Sequence, residues 1–351
     1  MNYKFLLLSI IIICLWFGSC KKDKPPVAPD NNINNITVSG QALKGVFVCN
    51  EGNFNSGTAS ISFLDQQNQF VADLFRNQNN FGIGDVAQSI HHFNGNFYIV
   101  VNNSGKIVVV DDKDFKQKAV INGLTSPRYM VNIGSKGYVS DLYSNEIKIL
   151  NLDNNSVIGR INCSGWTEEM IVIGSEIFVT NMRRDKIYVV NSISDQITDS
   201  ITVSQATSGI VKDKNGKLWV LCGDAANNIS SALGKINPST KTLEILLQYP
   251  NGINAGKIKM NSNGDEIHLL DNTGIKKMNI TDLAIPVNNV ISGSNHNFYQ
   301  LSIDPLTEII HVSDALDYVQ RGYLYRYDPL RFTVIDSFRT GIIPGYIYFN
   351  K

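Results

Sequence analysis

The 351-residue sequence has no excess charge of either sign and no stretch of sustained helical periodicity. Lysine plus arginine and aspartate plus glutamate number 31 each, so no overall field favours a polyanion, and we expect no nucleic-acid partner. Charged residues are only 18% of the chain and hydrophobic residues 43%, which is enough apolar material for a sizeable core.

Sequence signatures of common enzymes are also missing. The five histidines have neither HxxxH nor HExxH spacing, and there is no GxSxG or glycine-rich phosphate loop before a helix. We therefore predict no catalytic residue, cofactor or metal site. The alternative is a metal or lactone-hydrolase site assembled from loop acids, for which the sequence has no supporting motif; the acids concerned are Asp141, Asp271 and Asp314.

Cysteines are few and do not suggest a disulfide framework. Cys14 lies in the leader described below, and Cys49, Cys163 and Cys222 have no CxxC spacing and are odd in number. They lie in or beside apolar runs, so we interpret them as small core residues rather than metal ligands.

The first twenty residues have the pattern of a lipoprotein signal peptide. Lys4 precedes a largely apolar run of thirteen residues, 5–17, which is too short to span a bilayer and typical of a signal h-region. Gly18 and Ser19 then precede Cys20, as in the lipobox of bacterial lipoproteins. We predict lipid attachment at Cys20, with an ordinary signal peptide as the alternative. Residues 21–43 are polar, and we predict that they form a flexible tether to a domain that spans residues 44–351.

A repeat of about forty residues determines the predicted fold. Ile or Leu, three residues, then Asp or Asn recurs seven times, at intervals of 40 to 49 residues. The final residues are Asp65, Asp111, Asn151, Asn191, Asn237, Asn279 and Asp328. A bulky strand-like run precedes each pattern, a turn and another run follow it, and Val, Ile, Tyr and Phe dominate these runs. The terminal Asp or Asn is expected to close a hairpin through an Asx turn.

Four short strands per repeat are typical of a β-propeller. We predict an all-β fold, a seven-bladed β-propeller of four-stranded blades. The C-terminal run from Pro344 resembles the run that begins at Pro127, and the chain starts at a second strand. The C-terminal strand is therefore expected to pair into the first blade and close the ring; six or eight blades are the alternative counts.

In such a blade the loops between the second and third strands share one face with the loops that enter the next blade. We call this the loop-rich face, and we predict that it binds a ligand, with aromatic capping of blade ends as the alternative. The candidate ligand-binding residues are Asp85, Gln88, Asn102, Asn103, Arg128, Tyr129, Tyr143, Trp166, Glu168, Arg183, Arg184 and Phe298.

Charged residues on this face allow two interpretations. Arg183 and Arg184 could pair with Glu168 and Glu169 of a neighbouring blade, or meet a carboxylate or phosphate of a ligand. Arg128 follows a proline at the start of an inner strand, so we expect it near the central channel.

Four segments together resemble a known family: 46–54 (VFVCNEGNF), 84–89 (GDVAQS), 98–107 (YIVVNNSGKI) and 126–129 (SPRY). They are similar to YncE-like propeller lipoproteins of Bacteroidetes, many of them of unknown function. One branch, BtuG, captures cobalamin at the cell surface above a TonB-dependent outer-membrane transporter. The resemblance implies a lipid-anchored outer-membrane protein, most simply at the cell surface, with a periplasmic position as the alternative.

These observations favour a binding protein that captures a small nutrient, of the corrinoid or metal-chelate class, and passes it to a TonB-dependent receptor. Two alternatives remain: a protein-docking scaffold without a small ligand, and a propeller enzyme such as a lactonase or quinone-dependent dehydrogenase.

Overall fold

A computed structural model describes residues 40–351, so the predicted signal peptide, Cys20 and most of the tether lie outside the described residues. The chain forms seven antiparallel four-stranded sheets around one axis. The predicted seven-bladed propeller is confirmed.

The first three blades contain the following elements in chain order. Blade 1 contributes β1 (Gly45–Asn50), β2 (Ser60–Asp65), β3 (Phe70–Val71) and, after them, the helix α1 (Leu74–Asn79). Blade 2 contains β4 (Ala87–Phe93), β5 (Asn96–Val101), β6 (Lys106–Asp111) and β7 (Gln117–Ile121). Blade 3 contains β8 (Pro127–Ile133), β9 (Lys136–Asp141), β10 (Glu146–Asn151) and β11 (Ser156–Asn162).

Four more blades follow. Blade 4 contains β12 (Thr167–Ile173), β13 (Glu176–Asn181), β14 (Lys186–Asn191) and β15 (Gln196–Thr202). Blade 5 contains β16 (Thr207–Lys212), β17 (Leu218–Asp224), a 3₁₀ turn (Ala225–Asn227), β18 (Ile229–Asn237) and β19 (Thr242–Gln248). Blade 6 contains β20 (Ala255–Met260), β21 (Glu266–Asp271), β22 (Gly274–Asn279) and β23 (Ile291–Ser292). Blade 7 contains β24 (Phe298–Ile303), β25 (Ile310–Asp314), β26 (Arg321–Tyr327) and β27 (Val334–Ile342).

The last strand, β28 (Pro344–Asn350), closes the ring. It pairs antiparallel with β1 and becomes the innermost strand of blade 1, as the sequence predicts. Each innermost strand then contacts the innermost strands of both neighbouring blades. Each sheet then has two edges, its innermost strand at the channel and its outermost strand at the rim of the ring, and only the outermost edges face the outside.

The apolar core lies between the blades rather than inside a single layer. The second and third strands of each blade are almost fully buried, as in β5 and β6, because both of their faces meet neighbouring sheets. Outer strands such as β11 and β15 alternate exposed and partly buried residues. Valine, isoleucine and aromatic side chains at the middle positions therefore supply most of the buried area.

The repeated Asp or Asn performs the predicted turn chemistry in six blades. Its side-chain oxygen accepts a hydrogen bond from the backbone two residues later, as Asp111 does from Lys113 at 2.8 Å. The equivalent bonds form at Asp65, Asn151, Asn191, Asn237 and Asp328. Blade 6 differs, because the backbone N–H of Asn279 donates instead to the Asp282 carboxylate.

The expectation that helices are absent is wrong at one place. α1 begins after Asp73, whose carboxylate caps the Arg76 N–H at 3.1 Å, and ends at Asn80 in the left-handed conformation. Its Leu74 and Phe75 fill the core beside blade 1. Six residues are too few for a helical period to show in the sequence. Within residues 40–351, no helix has the length and apolar character needed to cross a bilayer.

Ring closure provides the first prediction. Ile347 of β28 is 5% exposed and packs with Val46 and Val48 of β1. Replacing it, Ile347→Ala, removes buried methyl groups at the closing sheet, so we expect a loss of about 2–4 kcal/mol in the free energy of unfolding. Chemical denaturation measures this. Leu330→Ala is the control, because Leu330 is 87% exposed and its truncation should cost less than about 0.5 kcal/mol. Equal effects of the two substitutions would contradict the closure argument.

Buried histidines provide a pH prediction. Burial lowers the pKa of both His268 and His311 to about 4, from an ordinary value of 6.5. Below pH 6.5 the unfolded chain takes up protons that the folded chain does not, so stability should fall as the pH drops from about 6.5 towards 4. Denaturation curves of the wild type and of the His268→Gln/His311→Gln variant, compared across that range, isolate this contribution. If the stability of the wild type and of the variant fell in parallel with pH, these two histidines would not be the cause of the fall.

Candidate functional site

All seven innermost strands begin with a β-bulge. The pairing register shifts after the first residue of each strand, as between Ala87 and Ser89 in β4 and between Ala255 and Lys257 in β20. The same shift occurs in β8, β12, β16, β24 and β28. A bulge leaves an extra residue outside the ladder and redirects its side chain. We call these second-position residues the bulge ring: Gln88, Arg128, Glu168, Ser208, Gly256, Tyr299 and Gly345.

Three of the predicted site residues join within the bulge ring. The Arg128 guanidinium lies against the Glu168 carboxylate, with Nε 3.1 Å from Oε2 and Nη2 also 3.1 Å from it. Arg128 donates a further hydrogen bond to the Gln88 side-chain oxygen. Both charged side chains are at most 20% exposed. Neighbouring negative carboxylates hold the pKa of Arg128 above its ordinary value despite its burial. Arg128 thus lies at the channel, as expected, with its donors engaged inside the protein.

Glu51 fills the ring where Gly345 has no side chain. It comes from the loop after β1, and a Cβ atom built on Gly345 would lie 2.4 Å from a Glu51 carboxylate oxygen. The Tyr299 hydroxyl donates a hydrogen bond to the same oxygen at 3.1 Å. Burial raises the pKa of the Glu51 carboxyl group, opposed by Arg128 and Tyr299.

Two small cavities lie in the channel, one at the bulge ring and one further along the innermost strands. The upper one, of about 200 Å³, lies beside Ser208 and Gly256 and is lined by Arg128, Glu168 and Lys257. The lower one, of about 230 Å³, is lined by His91, Lys259, Tyr346 and Tyr348. Tyr129 and Glu169 border both.

Three more predicted residues form an exposed cluster on the loop-rich face, which we call the aromatic–arginine stack: Tyr143, Trp166 and Arg183. The Arg183 guanidinium carbon lies 3.6 Å from the centre of the Trp166 ring. The Tyr143 ring meets Trp166 edge to face at 5.5 Å and is 61% exposed. Arg183 and Arg184 also line an adjoining cleft of about 400 Å³ with Gln205 and Ile229.

The alternative pairing of Arg183 and Arg184 with the neighbouring acids is wrong. Glu168 pairs with Arg128, and Glu169 lies 3.8 Å from the ammonium of Lys259. Arg184 instead donates a hydrogen bond to the Ser164 hydroxyl. The Arg183 side chain stacks on Trp166 and is exposed to solvent.

The remaining predicted residues hold loops together. The Asp85 carboxylate accepts hydrogen bonds from the Asn103 side chain at 2.6 Å and the Asn55 backbone at 2.7 Å. The buried Asn102 amide donates to the Pro127 carbonyl at 2.9 Å. Phe298 stacks on His296, away from the other candidates, with ring centres 4.6 Å apart.

Loop acids and cysteines also have structural partners. Asp141 accepts from the backbone of Ser126 and Ser144, which ties two loops together, and Asp271 pairs with the buried ammonium of Lys276 at 2.7 Å. Burial raises the pKa of Cys163 and Cys222. Among residues 40–351, no three His, Cys, Asp or Glu side chains are arranged to hold a metal ion.

Sequence reasoning missed Lys257 and Lys259 of β20. Neither belongs to the repeated Asp or Asn pattern or to a loop, so pattern counting passes over them. The available signal is positional: Lys257 follows the ring position of its strand, as Tyr129 and Glu169 do in β8 and β12.

The chain belongs to the family described as "Domain of unknown function (DUF5074)", whose model matches residues 44–314. No curated protein matches the sequence.

Solved structures share the fold at low sequence identity. A quinoprotein alcohol dehydrogenase-like protein from Bacteroides thetaiotaomicron superposes with a TM-score of 0.68 and 16% identity, covering 88% of this chain and 78% of its own. The periplasmic gluconolactonase PpgL from Pseudomonas aeruginosa gives a TM-score of 0.64 and 12% identity, covering 88% and 99%. Apo AztD from Citrobacter koseri gives 0.56 and 11%, covering 88% and 97%. At these identities the likeness shows the fold alone.

The ring ion pair gives a stability prediction. Arg128→Met leaves the Glu168 carboxylate buried without its partner, so we expect a loss of about 3–5 kcal/mol in unfolding free energy. The double variant Arg128→Met/Glu168→Gln should regain part of this loss, because no charge is then stranded. Arg183→Met, at an exposed arginine, should cost less than about 1 kcal/mol. Denaturation of all three variants measures the coupling; additive losses in the double variant would refute it.

Proposed function

We propose that this member of the DUF5074 family is a lipid-anchored outer-membrane binding protein. In this proposal it captures a small nutrient on the loop-rich face and passes it to a TonB-dependent transporter. The observation that carries the binding step is the exposed aromatic–arginine stack beside the 400 Å³ cleft. The lipobox at Cys20 and the resemblance to YncE-like lipoproteins support the anchor and the transporter.

The stack presents two kinds of recognition at one point. Trp166 and Tyr143 offer rigid aromatic surface, on which a planar or partly apolar ligand gains contact area at a low entropic cost. Arg183 and Arg184 offer guanidinium groups that match carboxylate or phosphate oxygens. Arg184 contributes from the wall of the cleft, so an acidic group of the ligand would lie there. The arrangement favours an anionic or amide-bearing molecule with one flat surface.

Size argues against the channel as a corrinoid site. Pockets that enclose drug-sized ligands have volumes of about 300–1,000 Å³. The channel cavities, at about 200 and 230 Å³, are smaller than that range, whereas the cleft beside Arg183 is about 400 Å³ and opens to solvent. A larger cleft of about 680 Å³ lies among turns of the opposite face, but its lining contains no tyrosine, tryptophan or arginine. A corrinoid or metal chelate is therefore proposed to lie across the loop-rich face, with part of it in the cleft beside Arg183.

A protein-docking role is the second candidate, and one observation favours it. Tyr, Trp and Arg are also the residue types enriched at protein interaction hot spots, and here the exposed Tyr143 and Arg183 pack on a half-buried Trp166. A lactonase or a quinone-dependent dehydrogenase is a third candidate. Neighbours with enzyme names share the fold with this chain, and fold similarity alone does not transfer an activity.

The test is calorimetry of the purified protein against cyanocobalamin, cobinamide and ferric citrate. We expect saturable binding of at least one probe, and we expect Trp166→Ala to weaken it at least tenfold through loss of the stacking surface. Arg183→Met should weaken binding of an acidic probe by a similar factor. Ile193→Ala is the matched control, because Ile193 is 82% exposed and lies in a turn on the opposite face.

Other outcomes distinguish nutrient capture from the docking and enzyme alternatives. Absence of binding across the panel by folded protein would refute nutrient capture. Recovery of one membrane protein by the wild type, lost in the Trp166→Ala variant, would then support docking. A metal or absorbing cofactor that copurifies with the protein would support the enzyme alternative.

A further inference from the structure

The upper channel cavity exists because two blades have small residues, rather than long side chains, at the bulge ring. Blades 2 to 4 place long side chains at the bulge ring, whereas blades 5 and 6 place Ser208 and Gly256 there. The next position of blade 5 is also a glycine, Gly209. At blade 1 the ring glycine Gly345 has its space filled by Glu51. Among residues 40–351, no side chain fills the space beside Ser208 and Gly256, and the cavity of about 200 Å³ lies there.

One cation in this cavity has no direct partner in the described chain. Arg128 is paired with Glu168, and Lys259 lies 3.8 Å from Glu169. The ammonium group of Lys257 makes no hydrogen bond or ion pair within residues 40–351. Lys257 is half-buried, and desolvation lowers its pKa, opposed chiefly by the nearby charge of Glu169. Its ammonium group lines the cavity and can therefore meet the carboxylate of a small ligand there.

Acids on the other side of the same cavity restrict the anion. Glu168 and Glu169 both line it, and Glu169 also accepts a hydrogen bond from the Ile210 backbone at 3.2 Å. A dianion such as phosphate would be repelled by two carboxylates. A monocarboxylate with a neighbouring hydrogen-bond donor would satisfy both sides, since its carboxylate can meet Lys257 while its donor meets a glutamate oxygen.

We propose that the upper channel cavity is a binding site for a small amino acid or hydroxy acid, held by Lys257. The site is separate from the aromatic–arginine stack and does not depend on it. Its volume suits a molecule of a few non-hydrogen atoms, well below the drug-sized range of about 300–1,000 Å³. Met182 borders both this cavity and the outer cleft, so a ligand entering from the loop-rich face would pass that side chain.

The test uses saturation-transfer NMR and calorimetry of the full protein with glycine, L-alanine, glycolate and L-lactate. Acetate lacks the donor, methylammonium lacks the carboxylate, and sulfate is a dianion without a donor. We expect at least one of the four acids to bind saturably, and the three comparison probes to bind at least tenfold more weakly. No binding of any of the four acids, or equal binding of sulfate, would overturn the proposal.

Two variants locate the binding. Lys257→Met should weaken it at least tenfold, whereas Lys212→Met should not change it, because Lys212 is an exposed lysine at the far end of the innermost strand β16. Gly256→Met keeps Lys257 and fills the cavity. A Cβ atom at Gly256 would meet only the Leu270 carbonyl oxygen at 3.4 Å, so the backbone accepts a side chain there. Binding unchanged in both Lys257→Met and Gly256→Met would place the ligand elsewhere and refute the site. Trp166→Ala should leave this binding unchanged, which separates it from capture on the outer face.

Discussion

The ring of seven sheets in this chain is closed by one pairing, through which the first sheet obtains its innermost strand from the other end of the chain. β28 supplies that strand by pairing with β1 over the length of the sheet. Without it, blade 1 would have only three strands, and the contacts from β28 to β4 and β24 would be lost. Every other blade is built from consecutive residues, so the ring depends on this single long-range pairing.

The second determinant is the bulge at the start of each innermost strand. A regular strand would alternate its side chains strictly between the two faces of its sheet, whereas the bulge adds one residue at the start of the innermost strand in every blade. The scaffold therefore offers seven equivalent positions, and their chemistry differs blade by blade. Large polar groups at Gln88, Arg128 and Glu168 seal one side with an internal ion pair, while Ser208 and Gly256 leave the other side open.

The architecture could be predicted from the sequence because it rests on local, repeated signals. Strand-forming runs and turn-closing Asp or Asn residues recur in every blade, and six of the seven turns form as their side chains require. The short helix α1 was not predicted, because six residues after an Asp cap are too few to show a helical period. The candidate site was predictable in part. Loop position brought Tyr143, Trp166 and Arg183 to one face, but it could not show that Asp85 and Asn102 serve as ties between loops.

The sequence by itself determined the number of blades, the order of strands and the strand that closes the ring, because hydrophobic pattern and turn chemistry act between neighbouring residues. Only the tertiary structure decided which charges are already neutralised. Arg128 of blade 3 and Glu168 of blade 4 are forty residues apart in the chain and form an ion pair between neighbouring blades. Lys257 comes from blade 6 and has no direct partner within residues 40–351. Pairing of that kind depends on distances across a closed ring and on desolvation inside its channel, and neither quantity is encoded in any short stretch of residues.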